Sequence, residues 1–214
     1  MIIVGDCMNN NKGFTLVELL GSMVILGLLM IMVVPNIVGI LSKNKEKTYK
    51  EDAKKLVEVA KYKMSMKKDG VVPPNQNGQC VLFGLGYLDN AEFANPPNDG
   101  CYDVTRSYVA VKLENHRYVY YVQLVEYFDG KYTGIIGPVK YEDLQNASIQ
   151  ENKTLNYSYF KYKIEASAPK ALVIEDEKEP LSPISVCTNY VVKAHNGPKT
   201  YSIDSRGICA QKNV

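Results

Sequence analysis

Glu18 is the one charged side chain in Phe14–Leu41, a run of 28 otherwise almost wholly apolar residues. A carboxylate in such surroundings is expensive. Left unpaired in an apolar medium it loses its hydration or takes up a proton. It is tolerated only where it reaches water at a membrane edge or where it meets a specific cation. Its neighbours are distinctive. The segment reads Lys12-Gly13-Phe14-Thr15-Leu16-Val17-Glu18, so the carboxylate follows a Gly-Phe junction by four residues. The remaining candidates for chemistry are weaker. Cys80, Cys101, Cys187 and Cys209 permit two disulfides in three pairings, and Cys7 lies ahead of the junction. His116 and His195 both sit among turn residues, with no partner nearby that would make a metal or acid–base site. There is no G-x-S-x-G nucleophile motif, and no C-x-x-C pair for zinc. Gly84 and Gly86 lack the strand–turn–helix frame of a dinucleotide fingerprint.

The element that positions Glu18 is the apolar run. As a helix rising 1.5 Å per residue it extends about 42 Å, more than the roughly 30 Å of a bilayer's hydrocarbon core. A short polar leader, Met1–Gly13, precedes it. A secretory signal is cut after its apolar region, beside small residues. This run instead passes Leu41 into Ser-Lys-Asn-Lys with no such site, which predicts that it stays in the mature protein. Pro35 cannot donate to the carbonyl of Ile31 and is expected to loosen the helix there. Beyond Ser42 the pattern narrows to a stripe, Tyr49, Ala53, Leu56, Val57, Ala60 and Met64. Lys43, Lys47, Lys50, Lys54, Glu58 and Lys61 lie largely off it, as in a helix packed on a globular domain.

The segment Lys12–Glu18 resembles the processing site of type IV pilins and pseudopilins, and the likeness extends to about Lys68. Gly27 and Pro35 also stand at common family positions. The resemblance implies an α+β fold, a long N-terminal helix packed on an antiparallel β-sheet. It divides the chain into a cleaved leader (1–13), a transmembrane and filament-core helix half (14–41), an amphipathic half (42–69) and a globular domain (70–214). That domain would comprise an αβ-loop (70–106) and the sheet (107–214). The resemblance implies that a prepilin peptidase cuts between Gly13 and Phe14, that Phe14 is N-methylated, and that Glu18 compensates the Phe14 ammonium of a neighbouring subunit. The implied function is structural, as a pilin in an extracellular filament for adhesion, motility or aggregation. Such a subunit is no enzyme and needs no cofactor or metal. Its partners would be other pilin subunits, the assembly machinery and membrane lipid. Two alternatives remain: a pseudopilin of a secretion or DNA-uptake apparatus, and a membrane-anchored binding protein that never polymerises.

The rest of the chain fits one exported domain. Removing Asp6 and Lys12 with the leader leaves the net charge at +2, too balanced to indicate nucleic-acid binding. Lys43, Lys45 and Lys47 would favour the opposite membrane orientation by charge counting, but large domains often override that bias. The nearly equal spacings favour Cys80–Cys101 and Cys187–Cys209 disulfides, the first fastening a Pro- and Gly-rich loop in which Val81–Leu88 is a short apolar insert expected to anchor it to the core. Tyr108–Leu113, Tyr118–Glu126 and Tyr132–Val139 read as an antiparallel meander with an Asp129-Gly130 turn. Leu155–Glu165, Ala171–Glu175, Val186–Ala194 and Thr200–Ile203 are further candidate strands. The many tyrosines, Tyr118, Tyr120, Tyr121, Tyr127, Tyr132, Tyr157, Tyr159 and Tyr162, suit sheet packing before adhesion.

The Gly-Phe junction generates a direct expectation. Mass spectrometry of the protein from its native host should find an N-terminus at Phe14 carrying one extra methyl group. A mature chain beginning at Met1, or anywhere beyond Leu41, would contradict it.

Overall fold

The computed structural model describes residues 13–67, 71–88, 96–157, 159, 162–165, 171–174, 183–190, 199–204 and 207–211. Residues 1–12, with Cys7, and His195 lie outside them. The chain divides into two units, Met1–Lys43 and Asn44–Val214, which share one helix, α1, Leu16–Met66.

In the first unit α1 runs through Pro35 without ending. It is the one helix among the described residues long and apolar enough to cross a membrane. The large apolar side chains described here are uncovered, from 48% exposed at Val33 to 88% at Phe14. So much contiguous apolar surface requires lipid or partner chains.

In the second unit α1 changes character as its pattern demands. Tyr49, Ala53, Leu56, Val57, Ala60 and Met64 are all buried. They join one core cluster with Val81, Phe83, Leu85, Val109, Val111, Val122, Leu124 and Ile135. Those partners come from a sheet built of β1 (Gln79–Gly84), β2 (Cys101–Tyr102), β3 (Tyr108–Glu114), β4 (Arg117–Phe128), β5 (Lys131–Lys140), β6 (Gln150–Asn152) and β9 (Asn189–Tyr190). Its order is β6-β5-β4-β3-β1-β9, with β2 pairing the end of β4 beyond β3. The β3–β4–β5 meander is antiparallel throughout. Its two hairpin turns place Asn115 and His116, then Asp129 and Gly130, at positive φ, the backbone that matches the right-handed twist of the strands. β7 (Tyr162–Glu165), β8 (Ala171–Ile174), β10 (Lys199–Asp204) and β11 (Gly207–Gln211) form a second, antiparallel sheet in the order β11-β10-β8-β7. The fold is α+β, a long apolar N-terminal helix followed by an antiparallel sheet, consistent with the type IV pilin fold.

Two buried carboxylates tie α1 to the segment before β3. Glu126 accepts hydrogen bonds from the Tyr49 hydroxyl, from Asn98 N (3.1 Å) and Nδ2 (3.1 Å), and from Gly100 N (2.8 Å). Gly100 is required there: a Cβ would stand 2.5 Å from the Tyr127 carbonyl oxygen and 2.7 Å from Glu126 Oε1. Asp52, on α1, accepts from the Tyr102 hydroxyl at 2.8 Å and from Lys55 at 3.2 Å. Burial, reinforced by these acids, pushes both tyrosine hydroxyls well above the usual range. They remain proton donors, which a buried carboxylate needs.

Two expectations require correction. Val81–Leu88 does reach the core, but not as an insert in a loop. Val81–Gly84 belongs to β1, inside the sheet between β3 and β9, and Leu85–Leu88 is a 3₁₀ turn. The main sheet is antiparallel as expected except where β1 and β9 run parallel. The cysteine pairing also differs: Cys80 is bonded to Cys187, 107 residues away. Near-equal spacing carried no information about which strands become neighbours. The return of β9 beside β1, with Thr188 N and Oγ1 both donating to the Gly78 carbonyl (3.1 and 2.9 Å), sets Cys187 against Cys80. Cys101 is also disulfide-bonded, and its strand β2 lies against β11, which carries Cys209.

Non-reducing peptide mapping should therefore find Cys80 linked to Cys187 and Cys101 to Cys209. Cys187→Ser should lower unfolding stability by about 2–5 kcal/mol, since the bridge closes a long loop. A Cys80–Cys101 peptide, or an unchanged denaturation midpoint, would contradict this arrangement.

Candidate functional site

The head of α1 is built from Gly13 to Glu18. Thr15 is the last residue before the helix, and Glu18 is its third. The Thr15 N–H donates to Glu18 Oε2 at 2.9 Å, and the Thr15 hydroxyl donates to the same oxygen at 2.8 Å. In return the Glu18 N–H donates to Thr15 Oγ1 at 3.3 Å. This reciprocal arrangement is a capping box, which satisfies amides that the first turn leaves without intrahelical partners. The acidic side chain also opposes the positive end of the helix dipole. The Ser22 hydroxyl, one turn on, donates to the Leu19 carbonyl at 2.8 Å. Thr15, Glu18 and Ser22 thus each bond within their own helix, as polar groups in lipid must.

Among the described residues, Glu18 Oε1 accepts no hydrogen bond. One carboxylate oxygen is committed to the cap and the other is open. Phe14, immediately before the cap, is 88% exposed.

Gly13, Phe14 and Glu18 thus lie together at one helix end. Pro35 lies 17 residues beyond Glu18 in the same helix, about 25 Å along the axis. Cys80, Cys101, Cys187 and Cys209 are in the second unit. His116 is exposed in the β3–β4 turn. No group of three His, Cys, Asp or Glu residues could hold a metal ion among the described residues. The residue that sequence reasoning missed is Thr15. Its signal was present: T-x-x-E before an apolar run is the capping-box pattern.

The cap can be tested apart from any assembly role. Thr15→Val removes both hydroxyl bonds and should cost about 0.5–2 kcal/mol at the helix start. In detergent micelles, amide hydrogen exchange at Leu16–Leu19 should accelerate for Thr15→Val and stay near wild type for Thr15→Ser. Equal exchange in all three would show that the cap is not formed.

Residues 8–34 match the family model described as the prokaryotic N-terminal methylation motif. No curated protein and no solved structure matches the chain. The matched segment contains the Gly-Phe junction, the capping box, the open carboxylate oxygen and most of the uncovered apolar helix. The chain carries the N-terminal methylation motif that is the hallmark of type IV prepilin-like proteins.

Proposed function

We propose that this protein is a structural subunit of a type IV pilus, held in the membrane by α1 and then drawn into an extracellular filament. The observation that carries the proposal is the methylation motif at residues 8–34, with an open carboxylate oxygen at the head of an uncovered apolar helix. A prepilin peptidase would cut between Gly13 and Phe14 and expose an ammonium one residue before the cap. N-methylation of Phe14 would leave that charge in place. In the membrane the free subunit keeps the ammonium near water. In the filament the apolar helix halves bundle together, and the ammonium needs an anion. Oε1 of a neighbour's Glu18 can supply it while Oε2 stays on its own cap. Apolar helices slide along one another, so this ion pair would set their axial stagger. The subunit catalyses nothing; its sheets form the outer surface.

The motif is shared with pseudopilins, so a short secretion or DNA-uptake pseudopilus is the second reading. The second sheet, β7-β8-β10-β11, favours a true pilin with a large surface domain. A membrane anchor that never polymerises would keep its leader.

Glu18→Val tests the assembly role. The span stays apolar, so insertion and processing should survive, and the sheet domain should keep its thermal unfolding midpoint. Removing one partner of a buried ion pair costs about 3–5 kcal/mol, because the other charge is left alone. Processed, membrane-retained monomer with few or no filaments is expected when this variant is the only pilin expressed. Abundant filaments of normal length built only of Glu18→Val subunits would refute the pairing.

A further inference from the structure

On the second unit, Lys61 of α1 faces a small cleft of about 170 Å³ that opens to solvent. Tyr118, Val119 and Tyr120 of β4, Lys140 at the end of β5, and Tyr141 and Glu142 of the following 3₁₀ turn line the rest. The charges are distributed unevenly. Lys140 is already paired with Glu142 at 2.8 Å. The Lys61 ammonium lies 3.7 Å from the centre of the Tyr141 ring and 5.3 Å from that of Tyr120. Among the described residues no carboxylate pairs with it. Two aromatic faces hold this cation in place and leave its charge without an anion. Beside it Tyr118 is 46% exposed, a flat ring turned to solvent.

We infer that this cleft binds an acidic saccharide, a sugar ring bearing one carboxylate, with Lys61 taking the carboxylate and the exposed Tyr118 ring stacking on the sugar. Aromatic rings pack on the C–H faces of sugars, and one valine beside three tyrosines is too little aliphatic wall to hold a lipid chain. One unpaired ammonium suits one negative charge. The Glu142 carboxylate, its charge met by Lys140, accepts hydrogen bonds from sugar hydroxyls. A nucleic-acid strand would need a track of cations along its backbone, and here one of the two lysines is already neutralised. This site belongs to the globular unit and does not depend on polymerisation, so it stands or falls apart from the filament proposal.

The test uses the full-length protein in detergent micelles, titrated with methyl glucuronide and N-acetylneuraminic acid. Methyl glucoside, an oligothymidylate and an acidic peptide serve as the other arms, all followed by calorimetry and saturation-transfer NMR. An acidic sugar should bind, and the neutral sugar should bind at least about tenfold more weakly. Lys61→Gln should weaken acidic-sugar binding by about tenfold or more, and Lys61→Arg should restore most of it. Tyr118→Ala, at an exposed ring outside the core, should also weaken it; it decides the matter if Lys61→Gln lowers the melting temperature. No binding of either acidic sugar up to about 10 mM would overturn the inference. So would equal binding of the neutral sugar, tighter binding of the oligonucleotide or peptide, or affinities unchanged by both Lys61→Gln and Tyr118→Ala.

Discussion

A carboxylate at the head of a membrane-length apolar helix must be satisfied in every environment the helix enters. In the single chain, Glu18 meets this constraint by folding back on Thr15, which closes the helix start with three hydrogen bonds. That solution uses one oxygen and leaves the other open. The geometry connects two roles that would otherwise compete. A side chain that had to leave its cap to pair with a neighbour would trade one unsatisfied group for another. With the two oxygens divided, the proposed intersubunit ion pair adds to the cap and does not replace it. The apolar face behind it is uncovered along its described length, so lipid first and neighbouring helices afterwards are the partners its composition calls for.

The second half of α1 meets a different requirement with the same helix. Its apolar stripe is covered by the sheet, and its polar positions are not all solvent-facing. Asp52 is buried on the helix, and Glu126 is buried on β4. Tyrosine hydroxyls, Asn98 and the Gly100 amide satisfy them. Breaking such a network by removing one donor leaves a buried carboxylate short of a partner, which costs more than the bond is worth when made. The segment before β3, rich in Pro, Gly and Asn, is thereby fastened to α1 by hydrogen bonds as well as by burial. The Cys80–Cys187 bridge fastens the other border of the sheet, where, among the described residues, β9 pairs in parallel with β1 at two positions.

Periodic features were legible in the sequence. The stripe from Tyr49 to Met64 is buried at every position expected, and the β3–β4–β5 meander lies where alternation and the Asp129-Gly130 turn place it. Both depend on local spacing, which a sequence displays. What could not be read depends on which distant segments meet. The parallel β1–β9 pair joins residues more than a hundred positions apart, and it decides the cysteine pairing. Val81–Leu88 looked like an insert because prolines and glycines flank it; its strand pairing with β3 gives no local signal. At the candidate site, Glu18 stood out because a lone charge among apolar residues is rare. Thr15 was legible by the same segment, since T-x-x-E before an apolar run is a capping-box pattern, but a hydroxyl at a helix start is common and the lone charge overshadowed it. The Lys61 cleft was hidden for a similar reason: its tyrosines suit a sheet equally well, and only the fold places a helix lysine against them.

The proposed pairing is tested most directly by a cryo-EM reconstruction of the native filament at a resolution that shows side chains. The predicted result is a Phe14 nitrogen within about 4 Å of the Glu18 carboxylate of an adjacent subunit, the range of an ion pair, with Thr15 still capping the same Glu18. A well-ordered filament in which Glu18 bonds only its own Thr15, and the Phe14 nitrogen finds its partner elsewhere, would contradict it.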